Sequence, residues 1–89
     1  MLKRAVRITN RLGLHMRAAA KIVSVATRFR CNVSLTRAGR RASARSLLAL
    51  MLLAAAVGST IVVETDGPDE VAAMTALVEL IDDGFGERA

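Results

Sequence analysis

Apolar residues recur at every second position in some short stretches of this 89-residue chain and at every third or fourth position in the stretches between them. That switching of period restricts the fold most, because alternation fills one face of a strand whereas a period of about 3.6 fills one stripe of a helix. Leu2, Val6 and Ile8 fall on one side of a first strand, Cys31, Val33 and Leu35 on one side of a second, and Ile61 and Val63 on one side of another. Arg37-Ala38-Gly39-Arg40 reads as a hairpin turn in which Gly39 supplies the positive φ, so Arg40 to Ala44 forms a further strand.

Helices fill the intervals. From Met16 to about Phe29, Ala19, Ile22, Val23 and Ala26 share one face, with Arg17, Lys21, Ser24 and Arg28 elsewhere. A second helix, Leu47 to Ala56, starts after the natural N-cap Ser46 and stops at Gly58 as its C′ residue. In the third, Asp66-Gly67-Pro68-Asp69-Glu70 sets a proline in the first turn and acids near the positive end of the dipole. Val71, Met74, Leu77, Val78 and Ile81 are its expected buried stripe, and Gly84 ends it, leaving a short tail. The order is βαββαβα: an α+β chain with three helices on one face of a four-stranded antiparallel sheet.

The length suits one domain over residues 1–89. The longest apolar run, Leu47 to Val57, has 11 residues, against about 20 for a membrane span. The basic start Met1-Leu2-Lys3-Arg4-Ala5-Val6-Arg7 lacks the apolar core and cleavage site of a secretory signal. A cytoplasmic protein without membrane association is expected, and the single Cys31, unable to form an internal disulfide, agrees with a reducing compartment. One His and one Cys far apart make no metal-ligand set, so neither metal nor cofactor is expected.

The net charge of +5 conceals an asymmetry. Residues 1–63 hold twelve of the thirteen Lys and Arg and no carboxylate, while residues 64–89 hold all eight Asp and Glu. A basic face of this kind steers acidic partners; the plainer alternative is a solvated basic surface.

The single histidine, His15, sits at a helix start in Asn10-Arg11-Leu12-Gly13-Leu14-His15-Met16-Arg17-Ala18-Ala19-Ala20. The first N–H groups of a helix have no intrahelical partner and attract phosphate. An ordinary imidazole, with a pKa of about 6.5, is mostly neutral near pH 7 and so nucleophilic. Together these point to phosphoryl transfer through histidine, although taken alone such a histidine is more often a cap or a surface residue.

Three segments decide between those readings. Ile8-Thr9-Asn10-Arg11-Leu12-Gly13-Leu14-His15-Met16-Arg17-Ala18-Ala19, then Ala42-Ser43-Ala44-Arg45-Ser46-Leu47-Leu48, then Gly67-Pro68-Asp69-Glu70 through Asp83-Gly84-Phe85, together resemble HPr, the histidine phosphocarrier family of the bacterial phosphotransferase system. The Asn-Arg-Leu-Gly start and the ending look closest to its nitrogen-related branch, NPr. The resemblance implies an open-faced β-sandwich and a phosphoryl group received from phosphoenolpyruvate through an acidic Enzyme I and passed to an EIIA-type acceptor. It implies that His15 is phosphorylated at Nδ1, that Arg17 contacts the phosphate, and that Ser46 is the position some bacteria phosphorylate through a serine kinase. It also implies that Leu47, Leu48 and Met51, with Met16 and Ala20, form an apolar docking patch. A ten-residue helix on a sheet cannot bury every side of a continuous apolar run, which agrees with an exposed patch.

Once phosphate is attached, the N–H groups of Met16, Arg17 and Ala18 and the Arg17 guanidinium can hold its charge. A helix end contributes about 0.3 to 1 kcal/mol at an exposed site, weak enough for a carrier that must release its load. Two positions depart from the family pattern: alanine stands at 18 in place of the usual proline, and Met16 replaces a small residue. Ala18 restores an N–H and frees φ, but neither position supplies the nucleophile. A monomer that binds no nucleic acid is expected. Two other classes of function fit less of the chain. A pI near 11.1 suits a nucleic-acid binder, but only Phe29 and Phe85 offer stacking; a regulatory module of the same fold would bind partners without cycling phosphate.

Overall fold

The computed structural model describes residues 1–87. In chain order it has β1 (Leu2–Arg7), α1 (Met16–Ala26), β2 (Asn32–Arg37), β3 (Arg40–Ser43), α2 (Leu47–Leu52), β4 (Thr60–Asp66) and α3 (Glu70–Asp82), followed by a 3-10 turn at Gly84–Gly86. The sheet runs β1-β4-β2-β3, every pair antiparallel. Val6 lies opposite Ile61, Val63 opposite Leu35, and Leu35 opposite Ala42. The alternation therefore turns these five side chains to one face, where all are buried. Ile22 and Ala26 of α1, Leu50 of α2, and Leu77 and Ile81 of α3 close over them. Each large apolar side chain so buried contributes about 1.5 to 3 kcal/mol. On the open face, Glu64 pairs with Lys3 at 3.6 Å and with Arg41 at 3.2 Å.

Several element ends differ from those expected. The first helix stops at Ala26 rather than near Phe29, because the N–H groups of Arg28 and Phe29 turn to the carbonyls three residues back, Val25 and Ala26. The second stops at Leu52 rather than Ala56. The carbonyls of Leu52 and Leu53 accept from Arg40 and Arg37 of the β2–β3 hairpin, and Ala54 takes a positive φ of 51°. Gly58 is accordingly no helix cap; its N–H donates to Ile8 at 2.8 Å and it turns the chain into β4. Pro68 precedes the third helix, which begins at Glu70. Val71 is 67 % exposed: two residues from the buried Ala73 it lies about 200° round the helix, so Ala73 takes the place expected for it. In the hairpin, Ala38 as well as Gly39 has positive φ, the pairing that a two-residue turn between twisted strands requires.

The segment after α3 is not a loose tail. Gly84, Phe85 and Gly86 all take positive φ, turning the chain back so that Phe85, 1 % exposed, enters the core.

Candidate active site

The loop between β1 and α1 is fixed from two sides before it reaches His15. Its Leu14 N–H donates to the carbonyl of Ala55 at 2.8 Å, and Ile8 and Ser59 are joined by a 2.8 Å bond. Gly13, at φ 67°, lies so close that a Cβ would stand 2.5 Å from the Ala55 oxygen. Within the loop, the buried Asn10 donates from Nδ2 to the Gly13 carbonyl at 2.7 Å.

That anchoring makes His15 the N-cap of α1, in extended conformation (φ −82°, ψ 179°). Its Nδ1 accepts from the Arg17 N–H at 3.3 Å, doing for the helix what a Ser or Asp oxygen usually does. Its Nε2 lies 2.6 Å from Glu87 Oε2. The two contacts demand the same ring: neutral, with the proton on Nε2 and a lone pair on Nδ1. The hydrogen bond with His15 is the main influence holding the Glu87 carboxyl below its ordinary range; burial opposes it and a bond from Asn10 assists. Asn10 Nδ2 reaches the two Glu87 oxygens at 3.2 and 3.4 Å, and Lys21 Nζ donates to the carbonyl of Phe85.

Beside the imidazole opens a cleft of about 830 Å³ lined by Leu12, His15, Met16, Arg17, Ala20, Lys21, Gly86 and Glu87. Two cations and a neutral nucleophilic nitrogen border a space roomy enough for a group carried in by another molecule. The residues match, over positions 2–83, the family model described as "PTS HPr component phosphorylation site".

The chain belongs to the HPr family. It is 51 % identical over 87 residues to phosphocarrier protein HPr of Cupriavidus necator, covering 98 % of both chains. To HPr of Neisseria meningitidis it is 47 % identical, with the same coverage. Among solved structures, HPr-C-His from Thermoanaerobacter tengcongensis superposes with a TM-score of 0.95 at 32 % identity over the whole of both chains. HPr from Bacillus anthracis gives 0.86 at 31 %, covering 90 % of this chain and 95 % of that one. The protein is thus a phosphocarrier of the phosphotransferase system, and the four-stranded sheet with its helices is the HPr fold.

Of the residues singled out in the sequence of this chain, His15, Met16, Arg17 and Ala20 come together along the cleft, while Ala18 is buried and takes no part in its lining. Met16 on α1 is 59 % exposed and Leu48 on α2 is 68 % exposed, and Leu47, Met51 and Leu52 of α2 are exposed as well. Helix α2 packs against α1, the helix that carries Met16 and Ala20. Ser46 stands outside the cleft lining, with Oγ accepting from the Ala49 N–H at 3.2 Å. Sequence reasoning missed Asn10, Lys21 and Glu87. A Gly-Phe-Gly run carrying a large apolar side chain was the one available signal that the segment after α3 turns back at Phe85. No helix among the described residues is long and apolar enough to cross a membrane, and no group of three metal-binding side chains occurs among them.

Proposed function

We propose that His15 is the phosphoryl acceptor of this phosphocarrier, receiving the group from phosphoenolpyruvate through an Enzyme I-type donor and passing it to an EIIA-type acceptor in the cytoplasm. The observation that carries the reading is the bare Nδ1 at the helix start, facing the Arg17 N–H beside an open cleft. The Nδ1 lone pair forms the N–P bond in line while the donor's bond to phosphorus breaks and its electron pair stays with the donor. Attack requires Nδ1 to release the Arg17 N–H, which is then free to bind a phosphoryl oxygen. The Met16 and Ala18 N–H groups and the Arg17 guanidinium supply the remaining donors.

Met16, Ala20, Leu47, Leu48 and Met51 form the surface on which donor and acceptor dock in turn, with the surrounding cations steering their acidic faces. Ser46 is the regulatory position: a phosphate there would meet the N-terminus of α2 without breaking the helix, while adding charge repulsive to an acidic donor. Incubation with phosphoenolpyruvate and Enzyme I tests the central step. Acid-labile phosphate should appear on the wild-type chain and be absent from folded His15→Ala. Label that persists in that variant would reject His15 as acceptor.

A further inference from the structure

The chain contributes a carboxylate to its own acceptor site. We propose that Glu87 is a positioning residue for His15, holding the ring in the one tautomer and orientation that presents Nδ1 for attack and balancing the charge the ring acquires. The inference rests on the reading of His15 as the phosphoryl acceptor.

Three features separate this contact from a chance surface pair. It is short, 2.6 Å, between side chains only 27 % and 20 % exposed. The carboxylate is held independently by Asn10, which is itself bonded to the loop that carries His15. The backbone bearing it is fastened on the other side, by Phe85 in the core and by Lys21 on the Phe85 carbonyl. Glu87 therefore has little freedom to leave, and the imidazole is gripped between a helix N–H at Nδ1 and a carboxylate at Nε2.

The chemistry needs that arrangement. When Nδ1 shares its lone pair with phosphorus, Nε2 keeps its proton and the ring becomes positively charged. A carboxylate already aligned on that N–H stabilises the charge as it develops, with no reorganisation at the moment of transfer. It also disfavours the other tautomer, in which Nδ1 would carry the proton and could not attack.

Because the chain has a single histidine, 15N-histidine labelling reports on His15 alone, and long-range proton–nitrogen correlations tell a protonated nitrogen from a bare one. The wild type should show Nε2 protonated and Nδ1 bare. In Glu87→Ala the two nitrogens should move toward an exchange average, and kcat for phosphorylation by Enzyme I should fall about three- to ten-fold with KM unchanged, the loss of one charge-assisted hydrogen bond at a partly exposed site. Glu87→Gln, which keeps an acceptor without the charge, should retain the tautomer while still losing rate. Unchanged nitrogen shifts with unchanged kcat in Glu87→Ala would overturn the proposal, as would a change confined to KM, which would make Glu87 a docking residue. If those variants behave like wild type while His15→Ala takes no label, only the role of Glu87 falls. Label persisting in His15→Ala removes the reading beneath it, and the inference with it.

Discussion

Arg17 acts through two groups with different consequences: its backbone N–H caps on His15, while its exposed side chain borders the cleft. Arg17→Glu leaves the N–H in place, so stability should change by less than about 0.5 kcal/mol. Phosphorylation should slow about tenfold at low salt and lose its rise with falling ionic strength, measured as initial rates across a salt series. A second consequence at this scale follows from Glu87. Its carboxyl titrates below the ordinary value of 4.5, chiefly through the His15 hydrogen bond. The contribution of that contact to folding is therefore fully present above about pH 4.5 and is lost as the pH falls through the lower folded value. Amide exchange at Phe85 and Gly86 should accelerate on acidification in the wild type and be pH-insensitive, after correction for intrinsic exchange, in Glu87→Gln. His15 and Arg17 were legible because everything that marks them lies within a few residues. Glu87 was not, since the residue that gives it meaning is 72 positions away in the chain and nothing local distinguishes it from a solvated acid.

Helix α2 shows how an element can depend on its neighbours. Six residues are too few to be stable alone, so its two ends must be satisfied from outside the helix. Ser46 Oγ does this at the start, and Arg37 and Arg40 do it at the end by donating to Leu53 and Leu52 at 3.0 and 3.2 Å. Ser46→Ala should cost about 1 kcal/mol in denaturant unfolding, whereas Ser46→Asp should keep its stability and lose affinity for an acidic donor. Equal donor affinity for the Ala and Asp variants would remove the regulatory role of Ser46. The capping arginines also explain why the expected helix was too long. Residues 47–57 have a uniform helical composition, and only the cross-chain bonds to Leu52, Leu53 and Ala55 decide where the backbone departs. The strands were read more faithfully, because alternation records burial on a sheet face directly: Cys31, Val33, Leu35, Ile61 and Val63 are all buried as expected.

Across the whole molecule, the division of charge along the sequence is only partly preserved in space. Carboxylates of the acidic half return to the basic one, Glu64 onto Lys3 and Arg41, and Glu87 onto the site itself. The Phe85 anchor should therefore matter both to stability and to the site. Phe85→Ala should destabilise by about 3 to 5 kcal/mol on thermal or denaturant unfolding. In the fraction that remains folded, it should also reproduce the nitrogen-shift change expected for Glu87→Ala. Pairing between the first and last strands has a further consequence, in time rather than space. β1 has only β4 as a neighbour, and the loop carrying His15 leans on Ala55, Ser59 and Glu87. During synthesis His15 leaves the ribosome before the parts that hold and aim it. Such long sequence separations slow folding, and β1 must wait with an unpaired edge until residues 60–66 arrive. A nascent chain stopped at Leu52 carries His15 and Arg17 and should neither protect β1 amides from exchange nor serve as a substrate for Enzyme I.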